Sequence, residues 1–273
     1  MRRVFAAVAV LPLLVAGCTS DPGPAPEPTP SSSSPTATPR TARPVPPPEN
    51  LACYRLDYAA AVAPTSGARA VRCSGRHTSQ TYAVGRLDTL VGGHLLAVDS
   101  ERVQAQVAAA CPRQLARFLG GDVADQRLSM LRAVWFTPTV EESDAGADWY
   151  RCDVIAVATD ERLAGLTGRL GGVLDSAAGL DRYRMCGTAR PGTADFVRVI
   201  CTSDHSWRAI ETVNFPDGPY PGAGAARAHG QTPCEDAGRA VAADALNFQW
   251  GYEWPTADQW QSGQRYGLCW APA

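Results

Sequence analysis

The sequence contains no lysine, and all 25 of its basic residues are arginine. They are balanced by 27 acidic residues, which leaves a formal net charge of -2. A chain with this charge offers no broad basic surface for a polyanion, so nucleic acid is not an expected partner. Because lysine codons are AT-rich, the missing lysine is typical of a GC-rich genome and says little about the chemistry of the protein.

The sequence also lacks the short motifs of several well-known catalytic and nucleotide-binding sites. It has no Gly-x-Ser-x-Gly nucleophile elbow, no phosphate-binding loop and no His-Glu-x-x-His zinc motif. It therefore predicts no catalytic residue, no cofactor and no resident metal.

Long apolar runs are scarce, and the one at residues 4–16 is shorter than the ~20 residues needed to span a bilayer. It follows Arg2 and Arg3 and ends in Val15-Ala16-Gly17-Cys18, a pattern that looks like a bacterial lipobox. We interpret residues 1–18 as a lipoprotein signal peptide, with Cys18 as the site of diacylation; the alternative is a plain secretory signal. Two acyl chains would anchor the protein to the membrane, on its extracytoplasmic face.

Residues 19–49 are rich in proline, serine and threonine, and they hold eleven of the 22 prolines. Such a segment has too little apolar surface to offset the entropy of ordering, so it predicts a disordered tether. In extended polyproline II form it would span ~3.1 Å per residue and could lift the folded part tens of ångströms off the membrane.

Eight cysteines follow Cys18, and they divide into two sets of four with similar surroundings. In each set the second cysteine is followed four positions later by a histidine, which gives Cys73 with His77 and Cys201 with His205. A Pro-Thr pair precedes the last cysteine of each set, Cys152 or Cys269, by fourteen residues. These coincidences predict two tandem copies of one unit.

The pattern within each unit is roughly β-β-α-β-β, which indicates an α+β fold with an antiparallel sheet. We expect repeat 1 over residues 50–158, a connector over 159–180 and repeat 2 over 181–273. In repeat 1 a helix should start near Ser100 and break or kink at Pro112. In repeat 2 the segment Thr232-Pro233-Cys234-Glu235 reads as a capping box that starts a helix running to Leu246. Strands are expected over 68–74, 79–86, 128–137, 148–158, 195–202, 206–213, 246–254 and 264–270.

The Cys-x-x-x-His element after a strand resembles the actinobacterial septum formation family of lipoproteins and membrane proteins. Tyr220-Pro221-Gly222 before the third cysteine of repeat 2, and the aromatic stretch that ends at its fourth, add to the resemblance. The first repeat departs from it, because Val91-Gly92-Gly93 stands where that turn would be. The resemblance covers most of residues 50–273, once per repeat, and implies a link to the division septum without implying a reaction.

The cysteines are expected to form structural disulfides, because thiols oxidise outside the cytoplasm and each repeat holds an even number. Confining the pairs to each repeat leaves three connectivities per repeat. We favour a strand clip and a tie from the helix to the last strand in each one. The favoured pairs are Cys53–Cys73, Cys111–Cys152, Cys186–Cys201 and Cys234–Cys269.

Two alternatives give the cysteines and histidines a chemical role. Each Cys-His pair could supply two zinc ligands, or a thiol next to a histidine base could act as a nucleophile. We interpret His77 and His205 instead as structural residues that tie the turn after the cysteine to a neighbouring backbone carbonyl or acid. His94 and His229 are expected at the surface.

Two further groups of residues have both a structural and a functional interpretation. The acidic run Glu141, Glu142, Asp144 and Asp148 could supply paired carboxylates for glycoside hydrolysis, but a solvated loop is the commoner explanation. The aromatic residues near the C-terminus are expected to pack in the core; if exposed, they would form a platform for sugar rings or a protein partner. They are Phe248, Trp250, Tyr252, Trp254, Trp260, Tyr266 and Trp270.

The function predicted from the sequence is that of a non-enzymatic cell-envelope lipoprotein, an interaction or scaffold module linked to septum formation or cell-wall assembly. Its partners would be the membrane, through the lipid anchor, and an envelope, divisome or cell-wall component. The competing hypothesis is an envelope enzyme that acts on peptidoglycan.

Overall fold

The computed structural model describes residues 45–273, and the predicted signal peptide, Cys18 and most of the predicted tether lie outside this range. Residues 45–49, the described end of the predicted tether, contain no helix or strand. None of the helices in the described part is long and apolar enough to cross a membrane.

The first half of the fold is a small antiparallel sheet with one long helix against it. Its elements are β1 (Cys53–Tyr54), α1 (Tyr58–Ala61), β2 (Ser79–Arg86), β3 (Leu90–Val91), β4 (His94–Leu95), α2 (Glu101–Leu119), α3 (Val123–Arg127), β5 (Leu131–Phe136), α4 (Val140–Asp144) and β6 (Trp149–Thr159). The sheet order is β1-β2-β6-β5, and β7 (Arg162–Leu163) pairs with β6. Strands β3 and β4 form a separate hairpin.

The second half also has an antiparallel sheet with one long helix against it. A short 3-10 turn at Val173–Asp175 leads into this half. Its elements are α5 (Ala177–Tyr183), β8 (Met185–Gly187), β9 (Arg198–Ile200), β10 (Trp207–Asn214), α6 (Ala223–Val241), β11 (Gly251–Glu253), α7 (Ala257–Gln261) and β12 (Tyr266–Pro272). The sheet order is β11-β12-β10-β8-β9. Antiparallel pairing throughout, with helices against the sheets, confirms the α+β fold class.

The register of the two sheets corresponds residue by residue. In β2 the pairing with β6 shifts between Thr81 and Ala83, and in β10 the pairing with β12 shifts between Ala209 and Glu211. Each shift falls between the third and fifth residues of an eight-residue strand. The residue after the shift pairs with the last cysteine of its half, Cys152 or Cys269. Both sheets therefore have a register shift of the β-bulge type at the same strand position.

The long helix of the first half runs through Pro112 without interruption, which corrects the break expected there. Its buried residues are Val103, Val107, Cys111, Leu115 and Leu119, a continuous stripe on both sides of the proline. Packing of such a stripe is the main source of helix stability in proteins, and here it outweighs the hydrogen bond that proline removes.

The long helix of the second half begins at Ala223, ten residues before the position expected from the capping box. Thr232 and Pro233 therefore lie inside the helix, and the helix ends at Val241 instead of Leu246. Its buried face consists of Ala226, Gly230, Cys234 and Gly238, at intervals of four. These small residues give almost no hydrophobic signal, so the sequence pattern understated the length of the helix.

A shared core joins the two halves, and residues 45–273 form one compact unit. Buried side chains from α2 and β6 and from β10 and β12 belong to the same cluster. The connector takes part in this core, because Leu166, Leu170 and Leu174 are at most 1 % exposed. Arg127 of α3 also stacks on the ring of Tyr266, 4.2 Å from its centroid. The halves are therefore parts of one folded body.

Candidate functional site

Four disulfides join the eight cysteines of the described residues. They pair Cys53 with Cys73, Cys111 with Cys152, Cys186 with Cys201, and Cys234 with Cys269. These four pairings are the ones favoured from the sequence. In each half one disulfide joins a strand, β1 or β8, to the segment that runs beside it, and the other ties the long helix to β6 or β12.

His77 and His205 each close the turn that follows a cysteine. Nδ1 of His77 lies 2.9 Å from the carbonyl oxygen of Gly75, and Nδ1 of His205 lies 2.8 Å from that of Ser203. Each ring therefore donates its Nδ1 hydrogen to a backbone carbonyl two residues earlier. His77 is completely buried, whereas His205 is half-buried.

The cysteine and histidine side chains do come together, in an arrangement that explains the zinc interpretation. The ligand atoms of Cys186, Cys201 and His205 lie within 4.8 Å of one another. The two sulfur atoms are bonded to each other, however, at 1.97 Å. Zinc and nucleophilic chemistry both need a thiolate, and these sulfurs carry a disulfide bond instead.

The acidic run has local structural partners. Glu142 accepts a hydrogen bond from the backbone N–H of Thr139 at 3.0 Å and so completes the capping box of α4. Asp148 pairs with Arg86 at 2.6 Å. Hydrogen bonding to backbone N–H and to Thr139 lowers the pKa of the exposed Glu141 carboxyl, so this group is held in the ionised form.

A buried polar cluster on the face of the first sheet opposite α2 was not expected from the sequence. Asp153 is fully buried and accepts hydrogen bonds from the hydroxyls of Ser79 and Thr81, both at 2.7 Å. Nε of Arg151 lies 3.1 Å from Asp153, without hydrogen-bond alignment, and the guanidinium stacks on Tyr54 at 4.1 Å. Burial raises the pKa of the Asp153 carboxyl, against the opposing effects of Arg151 and the two hydroxyls. This closed cluster holds the N-terminal segment on the sheet.

The C-terminal aromatic residues divide between the core and a cleft. Trp270 and Trp260 are 0 % and 4 % exposed. Trp250, Tyr252 and Trp254 are half-buried; the first two pack against the cluster that contains Cys234 of α6, and Trp254 packs against the cluster that contains Ala226 of α6. Phe248 and Tyr266 are also half-buried, each under an arginine, at 5.2 Å and 4.2 Å from the ring centroids.

The cleft has a volume of about 520 Å³ and lies beside β11, between α6 and the loop that follows β8. Two arginines line it, Arg190 from the loop and Arg227 from α6, together with Gln231 and the aromatic residues Trp250, Tyr252 and Trp254. No carboxylate is among the residues that line it. Burial raises the pKa of the Tyr252 hydroxyl to about 12, so this group stays neutral at physiological pH.

The sequence pointed to the aromatic half of this cleft but missed the arginines. Arg190 lies in the turn Ala189-Arg190-Pro191-Gly192, and Arg227 lies in a helix segment that was not recognised as helical. Only the fold brings the two elements to the same edge of the sheet. A helix predicted to begin at Gly222 instead of Thr232 would include Arg227. That prediction would place Arg227 two turns before Cys234, on a face adjacent to β11.

Two antiparallel sheets with helices against them, four disulfides and an open cleft define a disulfide-stabilised α+β domain. Comparison with known families is more specific: the family model for septum formation matches residues 52–269. The chain therefore belongs to the septum formation family. No curated protein and no solved structure matches it significantly.

Proposed function

We propose that the protein is a lipid-anchored, non-enzymatic binding module on the extracytoplasmic face of the cell membrane that serves septum formation or cell-wall assembly. Family membership supports the link to the septum. The observation that carries the proposal is that every cysteine of residues 45–273 is paired in a disulfide. Disulfides of this density are typical of proteins that work outside the cytoplasm.

The geometry supports binding over catalysis, because the cysteines and two of the four carboxylates considered for catalysis have structural partners. The thiol-nucleophile mechanism needs a free thiolate next to a base, and Cys73 and Cys201 are both bonded to other cysteines. The carboxylates Glu142 and Asp148 are engaged in a helix cap and an ion pair. The cleft beside β11 is instead lined by aromatic and basic side chains, which suit recognition.

We also infer that the folded part consists of two tandem copies of one septum-formation unit. Support comes from the matching strand order, the bulge at the same strand position and the equivalent disulfides. The capping boxes at Thr139 and Thr256, each followed by a glycine with positive φ, Gly146 and Gly263, extend the correspondence to the last loop. The family match spans both halves as one stretch.

The anchored location can be tested in growing cells that express the full chain fused to a fluorescent protein that matures in oxidising compartments. We expect the wild-type fusion on the membrane and concentrated at the septum. The Cys18→Ala variant should be retained as an unprocessed precursor or released from the membrane. Uniform envelope fluorescence of the wild type throughout division would contradict the septal role.

The proposal that the protein has no enzymatic activity on the cell wall is tested by a biochemical assay on the full chain. Purified protein is incubated with isolated peptidoglycan, and the release of reducing ends and of free amines is measured. We expect no release above that of heat-treated protein. Turnover that scales with protein concentration, and that a Glu141→Gln or Asp148→Asn variant abolishes, would establish the enzyme hypothesis in place of the proposal.

A further inference from the structure

The cleft beside β11 differs from its counterpart in the first half in size and in chemistry. Tyr252 pairs with Cys269 as Trp135 pairs with Cys152, so these two residues occupy equivalent positions. Around Trp135 the counterpart cleft has a volume of about 340 Å³ and no charged side chain lines it. The second half has the larger cleft, about 520 Å³, and it contains two arginines. The larger cleft with two arginines therefore lies in the second half, and the equivalent position of the first half has a smaller, uncharged cleft.

Specific substitutions account for the difference. Two positions before Trp135 and Tyr252 stand Ala133 and Trp250. Seven positions before the helix cysteines Cys111 and Cys234 stand Gln104 and Arg227. An alanine and an amide in the first half are thus replaced by an indole and a guanidinium in the second, in the wall of the same cleft.

The aromatic wall is held rigidly by glycines of α6. A methyl group on Gly230 would lie 2.0 Å from Cζ of Tyr252, and one on Gly238 would lie 2.6 Å from Cβ of Trp250. The Tyr252 ring is also confined on its other edge, where a methyl on Gly267 would lie 2.5 Å away. Side chains fixed in this way present a flat apolar surface with little loss of conformational entropy on binding.

The arginines are positioned from two different elements. Arg190 donates from Nη2 to the carbonyl oxygen of Trp250 at 3.3 Å. The Arg227 guanidinium lies 5.7 Å from the ring centroid of Trp254, within cation–π range. Neither arginine has a carboxylate partner within salt-bridge distance among the described residues. Guanidinium groups without acidic partners are suited to bind a carboxylate or phosphate in two-point geometry.

We propose that this cleft binds a saccharide that carries an anionic group, with the sugar rings on Trp250 and Trp254 and the carboxylate or phosphate on Arg190 and Arg227. The inference rests on the proposed binding role in the envelope and gives that role a ligand class. The volume is within the ~300–1,000 Å³ range of small-ligand sites and suits one or two sugar rings. Addition of a peptide strand is disfavoured, because β11 has only three residues and Arg190 already occupies the Trp250 carbonyl.

Titration calorimetry on the full chain, in a detergent without a sugar head group, tests the proposal. The probes are N-acetylglucosaminyl-N-acetylmuramic acid, which carries a carboxylate, and neutral diacetylchitobiose of similar size. N-acetylglucosamine 1-phosphate and inorganic phosphate complete the set. We expect at least one anionic saccharide to bind about 10-fold or more tightly than diacetylchitobiose and inorganic phosphate, the usual scale for one charge-assisted hydrogen bond. The better of the two anionic saccharides identifies the source of the charge.

Variants separate the charge from the aromatic contribution. Arg227→Gln should lower affinity for the anionic probe about 10-fold or more and leave the neutral probe unchanged. Trp254→Leu should weaken both probes alike, because it removes stacking surface and no charge. Arg113→Gln is the matched control, since Arg113 is an exposed arginine on the other long helix, α2. Circular dichroism verifies that each variant is folded; Arg227 is exposed, so its variant does not depend on a core change.

The proposal is overturned if no anionic saccharide binds at millimolar concentration, if diacetylchitobiose or inorganic phosphate binds as tightly, or if Arg227→Gln keeps the anion preference. Its failure is distinct from a failure of the proposed function. A chain that concentrates at the septum but ignores these probes retains the binding role with another ligand. If the protein binds the probes but never concentrates at the septum, the ligand class of the cleft is supported and the septal role is refuted.

Discussion

Replacing Gly230 with alanine is expected to destabilise the protein, although alanine normally favours a helix. In an ordinary helix interior the change from glycine to alanine stabilises by about 0.5–1 kcal/mol. At Gly230 the new methyl carbon would lie 2.0 Å from Cζ of Tyr252 and 2.4 Å from its hydroxyl oxygen. Favourable carbon–carbon contacts need roughly 3.5–4.0 Å, so the ring has to move by more than an ångström.

The ring of Tyr252 has no free direction of movement within the packed layer. A methyl on Gly267 would be 2.5 Å from its other edge, and its hydroxyl donates to the carbonyl oxygen of Ala226 at 3.3 Å. The ring therefore has to swing out into the cleft and lose its packing. Overpacking of this kind costs about 1–3 kcal/mol. After subtraction of the helix gain of about 0.5–1 kcal/mol, we expect a net loss of up to about 2.5 kcal/mol.

Gly224 on the same helix provides the matched control, because no atom lies within 4 Å of a methyl added there. Gly224→Ala should therefore stabilise by up to about 1 kcal/mol. The two free energies of unfolding are measured by denaturant titration without reductant, and for a folded part of this size each 1 kcal/mol of difference should separate the melting temperatures by about 2–4 °C. If Gly230→Ala proves as stable as Gly224→Ala, the rigid aromatic wall described above does not exist.

Three further predictions concern the disulfides, a buried tyrosine and the turn histidines. Replacing both Cys234 and Cys269 with alanine should lower the free energy of unfolding by about 4 kcal/mol, because the unfolded chain gains the entropy of a loop with a sequence separation of 35. Denaturant unfolding measures this loss, and a value below about 1 kcal/mol would contradict the loop-entropy argument. Burial raises the pKa of the Tyr82 hydroxyl, so above about pH 10 the unfolded chain releases a proton that the folded state keeps, and stability falls as pH rises. Tyr82→Phe should flatten that alkaline decline, and an unchanged slope of unfolding free energy between about pH 9 and pH 11 would refute this. His77→Ala should destabilise by about 1–3 kcal/mol and His205→Ala by less, because His77 is fully buried and His205 is half-buried. Equal decreases in melting temperature for the two variants would show that burial of the ring does not set its contribution.

Features with a strong local signal could be predicted from the sequence. Strand β2 occupies residues 79–86, as expected, and β6 agrees with the expected strand within a residue at each end. The four disulfide pairs agree with the favoured choice among three connectivities per half, in which one pair joins neighbouring extended segments and the other joins the helix to the last strand. Periodicity and spacing act over a few residues, and they are visible in the chain itself.

Features that depend on tertiary contacts could not be predicted in this way. The segment Thr232-Pro233-Cys234-Glu235 matches a helix start in isolation, yet the helix continues through it because its buried glycines fit against Trp250 and Tyr252. The residue 68–74 segment was expected to be a strand and forms only a single bridge, between Val71 and Cys53. The cleft arginines come from elements whose proximity is a property of the fold and not of either segment.

The two halves distribute volume differently between the long helix and the edge strand. In the first half the helix supplies large buried side chains such as Val107 and Leu115, and the edge strand has Ala133 two positions before Trp135. In the second half the equivalent helix positions are Gly230 and Gly238, and Trp250 stands two positions before Tyr252. Both halves therefore carry one large ring opposite the last cysteine, and the second half adds the Trp250 ring against Gly238. Because the small helix residues leave room for this additional half-buried ring, the cleft of the second half has the larger aromatic surface.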